Sequence, residues 1–375
     1  VTYQTYALEP FFGGSHKSFL CGLKQHIHRS LGILSMSPHH WKWRMHGSAL
    51  YYADLISGEN LKPGIILASD FVNLPVLRGL LPHPNHWYWI LYFHENQLTY
   101  PVRAEEERDL TYAHMNIQSA LAAHRVYFNS AFHRRNFLNA IPTFYSRFID
   151  YKPDAVADRI SAQSEVLPVG ISLKRFDRTE PLPAAGGDSG IILWNQRWEH
   201  DKNPELFFRT LFQLAADEVP FRLIVCGERF EEYPRIFNEA REQLHDRILH
   251  WGYVREWEKY AQLLRSADIV VSTANHEFFG IAVLEAMYCR CYPLLPKRLV
   301  YPEYIPSDRH KKNLFTSNRD FCRKLKFALT RIDDTRKIHF RDIAAKFDWS
   351  RVAPLWEKIF AECDEELRKD DENDY

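Results

Sequence analysis

Short apolar runs recur along this chain, each followed by a longer stretch whose apolar positions have helical spacing. In the first half the runs are Tyr3–Leu8, Gly32–Met36, Ile65–Ala68, Trp89–Phe93 and Val126–Phe128. Between them the spacing predicts a helix from His16, one around Ala49–Ile56 and a long one ending at Ala123. Runs that are apolar throughout suit strands buried on both faces, and strands alternating with helices pair in parallel. The rhythm breaks between Asp177 and Gly190, where Arg-Thr-Glu-Pro-Leu-Pro-Ala-Ala-Gly-Gly-Asp-Ser has no periodicity. It restarts with strands at Ile191–Trp194, Leu223–Cys226, Leu249–Gly252 and Ile269–Val271, and helices at Pro204–Ala216 and Trp257–Leu264. The pattern predicts two Rossmann-like α/β domains, 1–176 and 191–348, joined by a linker at 177–190. Residues 349–375 form a last helix, opened by Phe347-Asp-Trp349-Ser350, with apolar positions at Val352, Leu355, Trp356 and Ile359 and an acidic end expected to fray.

Composition narrows the class. The 375 residues, 46% of them hydrophobic, suffice for two cores. No stretch approaches the roughly 18 uninterrupted apolar residues of a membrane helix. The first residues read as a strand rather than a secretion signal, so a cytoplasmic protein without membrane attachment is expected. Six cysteines, at 21, 226, 289, 291, 322 and 363, lack the paired spacing of a zinc site and are expected to be reduced. Lys plus Arg and Asp plus Glu both number 48, so no overall field draws nucleic acid. Residues 1–180 hold 18 cations against 15 anions and 12 of the 18 histidines. A few basic residues on one face can still hold an RNA loop, because local potential rather than net charge sets the attraction.

The densest chemistry lies in Asp268-Ile-Val-Val-Ser272-Thr-Ala-Asn-His-Glu277-Phe-Phe-Gly280-Ile-Ala-Val-Leu-Glu285-Ala. A β-branched strand leads through a loop to a helix opened by Gly280, with carboxylates eight positions apart. Such loops hold ligands at the carboxyl edge of doubly wound sheets, and N–H groups at a helix start attract a diphosphate. Phe279, Gly280 and Ile281 would supply them. Glu285, inside the helix, can accept ribose hydroxyls, and Glu277 can reach a sugar. The plain alternative has Glu277 capping the helix and Glu285 in solvent.

These segments and others resemble two nested families. The Glu-x7-Glu element, Val166-Leu-Pro-Val-Gly170-Ile and Trp194-Asn-Gln-Arg197-Trp-Glu-His-Asp-Lys202-Asn-Pro resemble parts of retaining, metal-independent glycosyltransferases of the GT-B fold. In the N-terminal half, Glu9-Pro-Phe-Phe-Gly13-Gly14-Ser15-His16-Lys17, Trp41-Lys-Trp43-Arg44, His94-Glu95-Asn96-Gln97 and Phe128-Asn129-Ser130 resemble the tRNA-queuosine mannosyltransferases. The resemblance implies two Rossmann-like domains facing across a cleft, the first for the acceptor and the second for the nucleotide sugar. It implies GDP-mannose as donor and the cyclopentenediol of queuosine, in the anticodon of tRNA-Asp, as acceptor, with retained anomeric configuration.

Donor cleavage requires the leaving diphosphate to be neutralised. No Asp-x-Asp stands at a strand end to hold a metal ion, so no divalent metal is expected and the cations Arg197 and Lys202 are assigned to the phosphates. The turn Gly13-Gly14-Ser15 is a second phosphate candidate. In related enzymes a histidine placed like His94 contacts the donor sugar; Glu95, Asn96 and Gln97 either bind acceptor hydroxyls or satisfy loop backbone. The acceptor set is completed by His16, Trp41, Lys42, Trp43, Arg44, Asn129, Ser130, Arg134 and Arg135, whose aromatic and basic groups can stack a splayed base and hold phosphates. Trp41 equally suits the core. Two other functions fit less of the sequence: a GT-B transferase with another nucleotide sugar and a lipid, glycan or small-molecule acceptor, and a non-catalytic sugar-nucleotide or tRNA-binding protein. No obligate protein partner is implied.

Overall fold

The computed structural model describes residues 2–101, 108–182, 189–229 and 232–373, apart from the side chains of 370, 371 and 373. The chain divides into two compact units, Val1–Ile171 with Trp349–Tyr375, and Ser172–Asp348. The division falls at Ile171, ahead of the stretch 177–190 expected to be the linker. Leu173–Arg178 is a short 3-10 helix whose Leu173 and Phe176 are buried, Phe176 against Trp257 at 4.5 Å, and this commits it to the second unit. Residues 183–188 of the expected linker lie outside the described residues.

The first unit is built on a six-stranded sheet: β1 Gln4–Glu9, β2 Leu31–Ser35, β3 Gly64–Ser69, β4 Tyr88–Phe93, β5 Arg125–Phe128 and β6 Ser164–Val166. Every neighbouring pair is parallel, in the order β2-β1-β3-β4-β5-β6. β3 and β4 are buried along their whole length, which is why their sequences do not alternate. The second unit has another parallel six-stranded sheet, from β7 Gly190–Trp194, β8 Phe221–Val225, β9 Ile248–Trp251, β10 Ile269–Val271, β11 Tyr292–Pro296 and β12 Leu314–Phe315. Its order is β12-β11-β10-β7-β8-β9.

These orders decide where ligands go. In each sheet the first strand has successors on both sides, so loops leaving the carboxyl ends of two neighbouring strands diverge where the order reverses and open a crevice. In the first unit the crevice lies between β1 and β3, followed by Glu9–Gly14 and Asp70. In the second it lies between β7 and β10, followed by Asn195–Lys202 and Ser272–Gly280. Both sets of polar motifs therefore stand at the one place in their sheet that topology opens.

The C-terminal helix, Trp349–Asn373, belongs to the first unit and continues through the acidic stretch expected to fray. Trp349, Val352, Trp356, Phe360 and Cys363 are buried, whereas Leu355 lies on the outer side of the helix. The Trp349 ring passes so close to Gly22 and Gly170 that a β-carbon at either would stand 2.3 Å from it. Acidic side chains fix the helix too: Arg125 pairs with Glu362 at 2.6 Å and with Glu366, and Arg29 with Asp364 at 3.1 Å. Among the described residues no helix is long and apolar enough to cross a membrane.

Candidate active site

Past Trp194 the chain leaves β7 as a loop, and a 3-10 turn, His200–Lys202, leads into helix Pro204–Ala216. The Trp198 ring, stacked on Phe237 at 4.2 Å, anchors this loop. Arg197 stays half exposed, its guanidinium 3.1 Å from Glu199. Lys202 is buried. Its Nζ lies 2.9 Å from the His276 carbonyl, 2.9 Å from Asp201 and 3.4 Å from Glu277. Burial opposes the ammonium charge, but Glu277 and Asp201 outweigh it and the pKa is raised, so Lys202 remains a cation. His276 is pushed down to about 4 by burial and by the neighbouring Lys202 charge.

Glu277, in the loop after β10, divides its carboxylate. Oε1 accepts the N–H of Gly280 at 3.0 Å and of Phe279 at 3.4 Å; Oε2 faces Lys202. Capping the turn is thus what one oxygen does, and the other meets the cation. Gly280 has φ +79°, a conformation that a residue with a β-carbon rarely adopts, and it starts helix Ile281–Tyr288. The Phe279 carbonyl accepts the Tyr304 hydroxyl, and its ring packs on Phe347 at 5.5 Å. Both backbone groups of Phe279 therefore take part in holding the turn. Ile281 is partly exposed at the helix start.

Glu285 is buried, not in solvent. Its Oε2 accepts the Tyr260 hydroxyl at 2.8 Å, and Oε1 lies 3.7 Å from Arg175, whose guanidinium stacks over Trp257. Asn195 closes the corner, donating to the Ala282 carbonyl at 2.8 Å and to Tyr260 at 3.3 Å. Burial pushes the Glu285 carboxyl up to about 7, with the Tyr260 hydrogen bond and Arg175 pulling the other way. This acceptor-rich, poorly hydrated oxygen pair is suited to take hydroxyl donors.

In the first unit the turn after β1 brings Gly13 and Gly14 to the start of helix Gly14–His26, which has no side-chain cap; Gly14 has φ +48°, and Ser15 is exposed. His16 is buried, with Nδ1 2.9 Å from Glu9. Burial alone would strip its proton, but the Glu9 carboxylate reverses this and raises it to about 9. The His16 ring lies 4.3 Å from that of His94. His94 is held by both backbone groups: its N–H donates to Asp70 at 2.9 Å and its carbonyl accepts from Asn129 at 2.8 Å. Burial and the charge of His16 push His94 well below the usual histidine range, so it is a neutral ring. Burial likewise raises Asp70.

The residues expected to meet the acceptor separate by exposure. Lys42, Trp43 and Arg135 are exposed, Trp43 by 74%. Arg44 bonds Ser37 through both its Nε and its NH2. Trp41 packs on Tyr112 and Phe71, the core alternative, with Lys42 over its ring. Five others take part in internal bonding. His16 is buried as described. Asn96 donates to His133 at 2.9 Å and accepts from Thr99; Asn129 accepts from His133; Ser130 caps helix Ala131–Tyr145; Arg134 bonds Ser161 and Ser164. The bonds of Asn96, Asn129 and Ser130 hold the loops after β4 and β5 in place, and those of Arg134 tie its helix to Ser161 and Ser164. Glu95 and Gln97, paired at 3.0 Å, are partly exposed.

With this geometry in place, similarity decides the family. Residues 4–171 match the family tRNA-queuosine alpha-mannosyltransferase N-terminal, and residues 180–337 match Glycosyl transferases group 1. The tRNA-queuosine alpha-mannosyltransferase of Drosophila melanogaster is 39% identical over 325 residues, 85% of each chain. The chain belongs to the tRNA-queuosine alpha-mannosyltransferase family. It is a glycosyltransferase of the GT-B fold. A GDP-mannose-dependent alpha-(1-6)-phosphatidylinositol dimannoside mannosyltransferase of Mycobacterium tuberculosis is 25% identical over 204 residues, 52% of each chain. Anabaena HepE in complex with UDP superposes with TM-score 0.69 at 14% identity, covering 96% of this chain and 100% of that one. Sucrose-phosphate synthase from Thermosynechococcus elongatus gives 0.68 at 16%, covering 96% and 98%.

Sequence reasoning on this member of the tRNA-queuosine alpha-mannosyltransferase family missed Tyr260, Asn195 and Arg175, which form the Glu285 corner, and Asp70, which fixes His94. No periodic signal marks them, since each sits in an ordinary helix or loop and gains its role only through distant partners. Metal coordination was not expected, yet among the described residues Glu9, His16 and His94 place three ligand atoms within 4.8 Å of one another. Glu9 and His16 already satisfy each other there as an ion pair.

Proposed function

We propose that this enzyme transfers mannose from GDP-mannose to the cyclopentenediol of queuosine in the anticodon of tRNA-Asp, in the cytoplasm and with retention of configuration. The observation that carries the reading is the 39% identity to the Drosophila enzyme across 85% of both chains, beside the family match over residues 4–171, where acceptor chemistry is expected. The donor rests on that relative and on the GDP-mannose dependence in the name of the mycobacterial one.

In this reading Glu285 accepts the ribose hydroxyls, and Arg197 and Lys202 take the diphosphate. Lys202 donates to the His276 carbonyl and to Glu277 and pairs with Asp201, and the longest of these contacts, 3.4 Å, is to Glu277. An arriving phosphate displaces that contact. Glu277 is then free to accept hydroxyls of the sugar, so that donor binding itself arms the carboxylate. The neutral His94 serves as a hydrogen-bonding partner for the sugar, and the Gly13-Gly14-Ser15 turn offers N–H groups to phosphate. The bond from sugar C1 to phosphate oxygen breaks as the queuosine hydroxyl oxygen attacks the same face of C1. The hydroxyl proton passes to the departing phosphate oxygen, leaving GDP and mannosylated tRNA. Arg197 and Lys202 act where negative charge grows.

Incubation of the protein with queuosine-containing tRNA and a panel of nucleotide sugars, followed by nucleoside mass spectrometry, should show a hexose on queuosine from GDP-mannose alone. A product from another donor, or none on tRNA, overturns the reading. Activity should also survive dialysis against EDTA, because side-chain cations neutralise the leaving group. Loss of turnover on chelation with recovery in Mn²⁺ or Zn²⁺ would instead place a metal in the reaction, with Glu9, His16 and His94 as its first candidates.

A further inference from the structure

Six of the twelve large hydrophobic side chains exposed among the described residues fall in two short segments of the first unit. On helix Trp41–Gly58 they are Trp43, Leu50 and Tyr51; after helix Ala131–Tyr145 they are Phe148, Ile149 and Tyr151, exposed by 37%, 98% and 72%. Scattered exposed hydrophobics need no explanation, but a concentration of them marks an interaction surface.

The two segments are anchored to one helix, Leu110–Ala122. Trp41 and His46 pack on Tyr112, His46 bonding its hydroxyl at 3.1 Å, while Phe148 packs on His114 at 6.0 Å. Just ahead of that helix Arg108 donates to the carbonyls of Gln97 and Tyr100, both at 2.6 Å, which ties the start of the helix to the loop after His94. Asp109 caps the helix; the Thr111 N–H and hydroxyl, and more weakly Lys42 and His46, hold it below the usual carboxylate range. Burial, and then the charge of Arg147, lowers Arg108.

Exposed cations alternate with the rings: Lys42 beside Trp43, and Arg147 and Lys152 bracketing Phe148-Ile149-Asp150-Tyr151. A protein partner would need chiefly the apolar groups; a single-stranded nucleic acid needs ring faces for its bases and cations for its phosphates at alternate positions. We propose that the segment Arg147–Lys152, together with Lys42 and Trp43, forms a platform for the single-stranded loop of an RNA acceptor. Bases stack on Trp43 and Tyr151, Ile149 adds apolar surface beside Tyr151, and Arg147 and Lys152 hold phosphates. The identity of the acceptor rests on the function proposed above; the platform itself does not require the sugar-transfer step.

The test is binding of a fluorescein-labelled, unmodified anticodon stem-loop RNA to the full chain, beside calorimetric binding of GDP. Ile149→Ser with Tyr151→Ala, and separately Arg147→Glu with Lys152→Glu, should each weaken RNA binding roughly 10- to 100-fold, since stacking and phosphate contacts are lost. The charge variant should also flatten the salt dependence. GDP affinity and Tm should be unchanged, because these side chains stand in solvent. RNA affinity within twofold of the unaltered protein in both variants, or no RNA binding by the unaltered protein, overturns the proposal. So does a changed oligomeric state with RNA affinity intact, which would make the face a contact between copies. If RNA binding depends on these residues but no sugar is transferred to tRNA, the platform stands and the proposed activity falls.

Discussion

Arg197→Ala should lower turnover by about 100-fold or more while leaving Tm within a degree or so, because a half-exposed guanidinium gives little to the fold and much to a growing negative charge. Lys202→Ala should lose turnover to a similar degree and fold less well. Its ammonium is the counter-charge of Asp201 and Glu277 in a buried position, and breaking a buried pair by removing one partner costs up to about 3–5 kcal/mol. The sequence treats these cations alike, five residues apart in one loop; only burial separates them. The comparison is made by steady-state kinetics on saturating acceptor with thermal melts of both variants. Near-normal turnover in Arg197→Ala would remove it from the leaving-group role, and an undiminished Tm in Lys202→Ala would contradict the buried pairing.

Glu285→Gln should weaken GDP binding and stabilise the protein above neutral pH. A hydrogen bond to a charged group contributes roughly 1.5–3 kcal/mol, so loss of the carboxylate at the ribose should cost at least tenfold in affinity. The sign of the stability change follows from the raised carboxyl, about 7 in the fold. An acid whose pKa is higher folded than unfolded binds more protons in the fold, so its stabilising influence is present at low pH and lost as pH rises towards 7. Above that, the fold carries an ionised carboxylate it has poorly solvated, and the neutral amide relieves a penalty on the order of 1–3 kcal/mol. GDP affinity of the unaltered protein should fall as pH drops below about 7, by up to about tenfold per unit, because ribose hydroxyls donate to the ionised form. In Glu285→Gln that dependence should vanish. Calorimetry showing pH-independent GDP binding, or equal affinity in the variant, would remove Glu285 from the ribose.

Much of this was written in the sequence, for local reasons. Unbroken apolar runs such as Ile65–Ala68 and Trp89–Phe93 can be satisfied only by strands covered on both faces. Helix Pro204–Ala216 runs between the residues its periodicity marks. The polar quartet His94–Gln97 after a wholly apolar strand marks the carboxyl end of that strand. What the sequence could not contain is the partner of each polar group. Asn96, Asn129, Ser130 and Arg134 look like ligand contacts along the chain, yet they bond His133, His94, Ser161 and Ser164. The Ser130 cap is local, three residues from its partner, but the others meet partners up to several tens of residues away only when β4, β5 and β6 pair. The same holds for the Glu285 corner, gathered from Arg175, Asn195 and Tyr260 by three separate elements. Periodicity reports which face of an element is buried; whether a buried polar atom is spent on the fold or kept for a ligand depends on which distant group the tertiary structure sets within about 3 Å of it.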